Sequence, residues 1–213
     1  MLVPVNEPQR AKGRLASHLS PEQRVALASA TLRSVLAACK QAGFETVVLT
    51  GDPLVGEIAE EFGVRVLPEE PRRRGLNGQL EGALERLDAP PEGVLILHAD
   101  LPLAAAAELR RLAEAAPPAP SVTLVSSDDG GTNAMLLRPP GRFPLAYGVG
   151  SFEKHRRAAQ AAGMTVQVVS SEELSLDLDT PADIERFRAR PGASETPAGR
   201  MIASFGAPTG GDA

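Results

Sequence analysis

Short apolar runs alternate with longer amphipathic stretches along most of the chain. Leu2–Val5, Thr46–Leu49, Val64–Leu67, Val94–Leu97, Val122–Val125, Ala134–Leu137 and Val166–Val169 have strand length and no helical periodicity. Val94–Leu97 is apolar throughout, as a strand covered on both faces should be. Ser20-Pro21-Glu22-Gln23 is a capping-box start with proline at the first helical position. From there Val25, Ala28, Leu32, Val35, Leu36 and Cys39 recur at helical spacing, which predicts a helix to about Gln41 closed by Gly43. Further helices are predicted over Leu54–Phe62, Asn77–Leu87, Ala104–Ala115, Ser151–Ala162 and Pro181–Arg188. Strands alternating with helices predict a three-layer α/β domain with a mostly parallel sheet over residues 1–189. Residues 190–213 are dominated by Pro, Gly, Ser, Thr and Ala, which predicts a flexible tail. Met201, Ile202 and Phe205 are its candidates for docking.

Composition narrows the function classes. A net charge of -5 offers no electrostatic footprint for nucleic acid or an anionic membrane. Without Trp, and with a single Tyr, stacking on single-stranded nucleic acid is not expected to carry the function. The lone cysteine, Cys39, excludes an internal disulfide and a Cys-rich zinc site, and its place on the apolar helix face reads as core. His18, His98 and His155 lie far apart in sequence. No apolar run approaches the ~20 residues of a membrane span. The first residues form a strand-like run without a signal-peptide pattern, so a cytoplasmic enzyme or binding domain is expected.

In an open parallel sheet, ligands bind beyond the carboxyl ends of the strands. After the first strand comes Arg10-Ala11-Lys12-Gly13-Arg14-Leu15, either a polyphosphate cradle or a solvated basic loop. It is neither a Walker A loop nor a dinucleotide fingerprint. The buried fourth run leads into His98-Ala99-Asp100-Leu101-Pro102. A carboxylate there is expensive unless it is solvated, paired or holding a cation, so Asp100 is a candidate magnesium ligand or a helix cap. His98 reads as a strand-end core or hinge residue. In Leu176-Asp177-Leu178-Asp179-Thr180-Pro181-Ala182-Asp183, Asp177 and Asp179 would share one face of an extended segment. Their charges repel unless a cation sits between them; otherwise Asp179 would cap the next helix. Gly130-Gly131-Thr132-Asn133 and Tyr147-Gly148-Val149-Gly150-Ser151 are small-residue turns that a second, anionic ligand could approach, or plain turns and caps.

Taken in order, Ala11-Lys12-Gly13-Arg14-Leu15, Leu19-Ser20-Pro21-Glu22, Gly75-Leu76-Asn77, His98-Ala99-Asp100-Leu101-Pro102, Gly131-Thr132-Asn133-Ala134, Gly148-Val149-Gly150-Ser151-Phe152 and Leu176-Asp177-Leu178-Asp179-Thr180-Pro181 resemble the 2-phospho-L-lactate / phosphoenolpyruvate guanylyltransferase family, within the MobA-like nucleotidyltransferases. The resemblance spans roughly residues 2–188 and implies a Rossmann-like nucleotidyltransferase domain that transfers GMP from GTP to a small phosphorylated acid in coenzyme F-420 biosynthesis. It implies that Lys12 and Arg14 face the GTP phosphates and that Gly75, Leu76 and Asn77 border guanine or ribose. It also implies that Asp100, with Asp177 or Asp179, holds Mg2+, and that Thr132, Gly148 and Ser151 bind the acid. An expected partner is a downstream transferase that takes the unstable product; a homodimer stays open. Asn6 stands where the family commonly has Lys, and Arg72-Arg73-Arg74-Gly75 replaces a glycine-rich stretch. Phosphoenolpyruvate is favoured as acceptor over 2-phospho-L-lactate and 3-phosphoglycerate. The competing readings are transfer to a sugar phosphate or molybdopterin, and a nucleotide-binding domain without chemistry.

Overall fold

The computed structural model describes residues 1–9, 12–87, 92–141 and 143–205. Arg10 and Ala11 of the basic loop, and residues 206–213, lie outside the described residues. Seven strands form one sheet: β1 (Leu2–Pro4), β2 (Val47–Thr50), β3 (Arg65–Pro68), β4 (Val94–Leu97), β5 (Ser121–Ser126), β6 (Thr132–Arg138) and β7 (Thr165–Val168). The helices are α1 (Pro21–Ala42), α2 (Pro53–Glu61), α3 (Gly75–Glu85), α4 (Ala106–Glu114), α5 (Ser151–Ala161), α6 (Glu172–Ser175), α7 (Pro181–Arg188) and α8 (Pro197–Phe205). The strand order is β3-β2-β1-β4-β6-β5-β7. Only β6 runs against its neighbours, β4 and β5.

Local chemistry explains the first helix. The Ser20 hydroxyl accepts from the Gln23 N–H at 3.2 Å, and the Gln23 side chain accepts from the Ser20 N–H at 2.9 Å. Gly43 closes the helix at φ 81°, a left-handed conformation that glycine adopts without a Cβ penalty. Pleating sends alternate strand residues to opposite layers. Val3, Val48 and Leu97 pack with Leu32, Val35, Leu36 and Cys39 of α1 on one side. Leu2, Leu49 and Ile96 pack with Leu80 of α3 and Ala159 of α5 on the other. The continuous apolar run of β4 is therefore buried on both faces. Cys39 is a core residue, and burial pushes its thiol up to about 11.

The flexible tail expected from residue 190 onward is corrected for residues 190–205. Ala198 and Ile202 are buried, with Phe205 packed beside them, at i, i+4 and i+7 spacing on α8. This stripe lies against α1 and joins Leu15, Leu27, Leu178, Ile184 and Phe187 in a third cluster. At Gly199 the backbone sits so close to the Ala193 carbonyl that no Cβ would fit. Ile202→Ala is therefore expected to lower stability by about 2–5 kcal/mol in a denaturant titration. An unchanged midpoint would restore the tail reading. Among the described residues, no helix is long and apolar enough to cross a membrane.

Candidate active site

The antiparallel strand assembles the site. Leu97 at the end of β4 pairs with Ala134 near the start of β6. The β5–β6 turn, Ser127–Gly131, thereby lies at the same end of the sheet as His98 and Asp100. The His98 N–H donates to the Asn133 carbonyl at 3.0 Å. The Asn133 side chain donates to the carbonyls of Leu174 and Ser175 at 3.0 and 3.1 Å. It thus fixes the end of α6, from which Asp177 and Asp179 follow. The two bonds give Asn133 a definite job that the sequence motif did not disclose.

A cleft of about 710 Å³ opens beyond the carboxyl ends of β1, β2 and β4. Lys12, Asp100 and Asp179 line one part of it, and Gly51, Glu69 and Leu76 another. Asn6 also lines it. From β4 to β3 is three strand spacings, about 14 Å, so the cleft can take an extended ligand.

Lys12 ends the basic loop in a left-handed conformation, φ 58°, uncommon for a residue with a Cβ. Its Nζ lies 3.1 Å from Asp100 Oδ2 and 3.1 Å from Asp179 Oδ1, with the side chain only 3% exposed. Burial alone would lower the Lys12 pKa, but the two carboxylates outweigh it and hold the ammonium above its ordinary value. Burial opposes the charge of Asp100 as well, yet Lys12 holds that carboxyl below the usual range. Asp177 responds the other way. Burial and then the charges of Asp100 and Asp179 push it up to about 7.

Oxygens of Asp100, Asp177 and Asp179 lie within 4.8 Å of one another. Asp100 Oδ1 is buried without a hydrogen-bond partner. Three carboxylates offering only oxygen, one with an unmet acceptor, suit a hard divalent cation. Neither cap reading survives. Helix α4 begins at Ala106 after Ala105, and α7 is capped by Thr180 in a reciprocal box with Asp183.

On the other side of the cleft, the sequence-marked residues separate. Leu76 lines the cavity, Gly75 and Asn77 do not, and both ends of the Asn77 amide are engaged by Tyr147. Arg14 is exposed and outside the lining, where it acts on Asp129 through its charge. Of the three consecutive arginines, Arg73 is tied to Glu70 and Glu85, while Arg72 and Arg74 are exposed.

Thr132 and Ser151 are brought together. Ser151 Oγ donates to Thr132 Oγ1 at 3.2 Å, and both residues are 2% exposed. The same Thr132 oxygen lies 3.0 Å from Nδ1 of His155, which is fully buried. His155 Nε2 accepts from the Ala146 N–H at 2.9 Å, so the neutral ring carries its proton on Nδ1 and donates it to Thr132. Thr132 Oγ1 therefore accepts twice, and its own proton is left for another group. Gly148, at φ 123°, and Val149, 95% exposed, form the outer edge of this loop.

The sequence marks neither His155 nor Tyr147 as a site residue. They sit on no shared motif, and only the fold joins them. Burial, and then the charges of His98 and Lys154, pull His155 down to about 4. The unfolded chain therefore binds a proton, from about pH 6.5 downward, that the folded one refuses. Stability should fall as pH drops from 6.5 toward 4, by up to about 1.4 kcal/mol per pH unit from this group. Denaturation midpoints of wild type and His155→Gln, compared at pH 7 and pH 5, check it; equal pH dependence in the two contradicts it.

The family model described as "Guanylyl transferase CofC like" matches residues 1–188. The chain belongs to the CofC-like guanylyl transferase family. Among its relatives, a phosphoenolpyruvate guanylyltransferase from Rubrobacter xylanophilus is 40% identical over 92% of this chain and 96% of its own. A 3-phospho-D-glycerate guanylyltransferase from Colwellia psychrerythraea is 34% identical over 87% and 89%. A 2-phospho-L-lactate guanylyltransferase from Methanothermobacter thermautotrophicus is 35% identical over 86% and 81%. The fold matches a solved nucleotidyl transferase from a Methanothermobacter species, with TM-score 0.61 and 17% identity over 95% of this chain and 97% of that one. The expected family, the Rossmann-like fold and the nucleotidyltransferase class all hold for this CofC-like chain.

Proposed function

We propose that this CofC-like protein transfers GMP from GTP to the phosphate of phosphoenolpyruvate or 2-phospho-L-lactate, releasing pyrophosphate, in coenzyme F-420 biosynthesis in the cytoplasm. The observation that carries the reading is the Lys12 ammonium held at 3.1 Å from both Asp100 and Asp179, with Asp177 completing an oxygen set at the end of a nucleotide-sized cleft. The names of the relatives supply the donor class and the acids.

Asp100, Asp177 and Asp179 would hold Mg2+, which when bound neutralises charge on the GTP phosphates. Lys12 carries a fixed positive charge into the same place, and Arg14 stands on the adjoining turn. Leu76 offers an apolar surface to the base or ribose, with Gly75 and Asn77 behind it. Thr132, Gly148 and Ser151 take the acid, with the spare Thr132 proton available as a donor. The acid's phosphate oxygen is already anionic, so no side chain needs to remove a proton to create the nucleophile. That oxygen bonds to the α-phosphorus in line while the bond from α-phosphorus to the bridging oxygen of pyrophosphate breaks. Alignment and charge neutralisation supply the catalysis. The product is an unstable anhydride, which suits immediate capture by a downstream transferase.

The test is pyrophosphate release with Mg2+, each of GTP, ATP, CTP and UTP in turn, and each of phosphoenolpyruvate, 2-phospho-L-lactate and 3-phospho-D-glycerate. Release with GTP and one or both of the first two acids is expected. Release that depends on 3-phospho-D-glycerate alone, or on another nucleotide, would displace this assignment.

A further inference from the structure

We propose that Asn77 is a positioning residue whose amide latches the acceptor loop in place, and that it does not contact the nucleotide. This inference rests on the assignment of the acid to Thr132, Gly148 and Ser151 made above.

Asn77 stands in the first turn of α3, and Tyr147 stands in the irregular segment before α5. The Tyr147 N–H donates to Asn77 Oδ1 at 2.7 Å, and Asn77 Nδ2 donates to the Tyr147 carbonyl at 3.2 Å. One side-chain amide thus satisfies both backbone groups of one residue, as a neighbouring strand would. Ala146, the preceding residue, gives its N–H to His155 Nε2. Two consecutive backbone positions are therefore held by side chains from two helices, α3 and α5. The Tyr147 ring is buried beside His155 of α5 and His98 after β4. Its centroid is 5.3 Å from His98 and 4.7 Å from His155. His98 is two residues from Asp100, so the root of the loop packs against the strand end that carries Asp100.

Such a latch matters because of the three residues after Tyr147. Gly148, Val149 and Gly150 are exposed, and both glycines have positive φ. This stretch has no sheet partner, and glycine brings the greatest backbone freedom of any residue. On its far side the stretch is held by α5, where the Ser151 N–H donates to the Gly148 carbonyl at 3.0 Å and the Phe152 N–H to the Gly130 carbonyl at 3.3 Å. On its near side the position of Gly148 is set by how firmly residues 146 and 147 are held. Asn77 supplies two of the three bonds that hold them. With both ends of its amide engaged and its side chain outside the cleft lining, it is committed to the loop.

The experiment pairs Asn77→Ala with Asn77→Asp in the full-length protein. Asn77→Asp keeps the acceptor for the Tyr147 N–H and loses the donor, so it carries the same readouts if the alanine variant fails to fold. Amide hydrogen exchange is measured at Tyr147, and KM is measured separately for GTP and for phosphoenolpyruvate, 2-phospho-L-lactate or 3-phospho-D-glycerate. Exchange at Tyr147 should rise at least tenfold in Asn77→Ala while β4 and β6 keep their protection. The KM of the acid should rise about tenfold or more, that of GTP should stay within about twofold, and Asn77→Asp should fall between wild type and alanine. A role confined to folding would lower the melting temperature without separating the two KM values. A raised KM for GTP with the acid unaffected, or unchanged exchange at Tyr147, overturns the proposal. If wild type turns over GTP with neither phosphoenolpyruvate nor 2-phospho-L-lactate, the functional reading fails, and the exchange measurement alone decides whether the latch exists.

Discussion

Asp100→Asn is expected to abolish turnover, by about a thousandfold or more in kcat, while the protein stays folded. Asp100 leaves a strand buried on both faces and emerges where β6 brings the second half of the site alongside. One of its oxygens pairs with Lys12, and the other is buried without a partner. The amide is nearly isosteric but cannot neutralise a cation, and its NH2 group would face Lys12 or the unmet position as a donor. Loss of a metal ligand removes charge stabilisation worth several kcal/mol in the transition state, and a thousandfold corresponds to about 4 kcal/mol. The fold should survive, because Lys12 keeps Asp179 and the core beneath is untouched. Single-turnover rates at saturating GTP and Mg2+, with a thermal melt beside them, make the comparison. A rate near wild type would remove Asp100 from the metal site.

The second large effect is expected at Lys12. Its ammonium is the only cation among the described residues within ion-pair distance of the acidic cluster. In Lys12→Met the apolar stem remains and the charge goes, so three carboxylates face each other with nothing between them. Breaking a fully buried pair by removing one partner costs roughly 3–5 kcal/mol, and because Asp100 and Asp179 are partly solvated the cost here should be a fraction of that. The loss should appear in the metal-free protein and be largest above pH 7. There Asp177, held near 7 even with Lys12 present, must also ionise in the folded state. A group whose folded pKa is raised contributes its stability at low pH and loses it as pH rises through that value. The destabilisation should therefore shrink below pH 7. Added Mg2+ should raise the melting temperature of the variant more than that of wild type, because the cation restores the missing charge. Turnover should drop about a hundredfold, roughly 2.7 kcal/mol, if Lys12 also faces the phosphates. A variant as stable as wild type at pH 8 without metal would contradict the account.

Much of the fold is legible in the sequence, because its signals are local. Ser20 with Gln23, and the proline between them, mark a helix start that forms as written. The apolar run of β4 announces burial on both faces. Asp100 is legible for a similar reason: a carboxylate next to a buried strand is expensive and invites a partner, while Asp177 and Asp179 show as like charges two residues apart. Three features are not legible. The reversed direction of β6 follows from the β5–β6 hairpin and the pairing with β4, which no periodicity reports. Helix α8 hides behind a loop-like composition, although Ala198, Ile202 and Phe205 already carry the helical spacing. The loop anchored by Asn77, His155 and Tyr147 joins residues 70 and 9 positions apart in sequence through side-chain-to-backbone bonds. Nothing in a linear pattern marks such bonds. The family resemblance marks Thr132 and Ser151 as acid contacts, and the structure adds that their hydroxyls meet each other and that Thr132 also meets His155.

The central claim is that GMP itself moves onto the acid's phosphate. The direct measurement follows the α-phosphorus of GTP, labelled with 32P, through a reaction with Mg2+ and phosphoenolpyruvate or 2-phospho-L-lactate. The account predicts that the label appears in a GMP–acid adduct containing a new phosphoanhydride, with one unlabelled pyrophosphate released for each adduct formed. Label recovered only in GTP, GDP or free GMP, with no adduct from either acid, would contradict it.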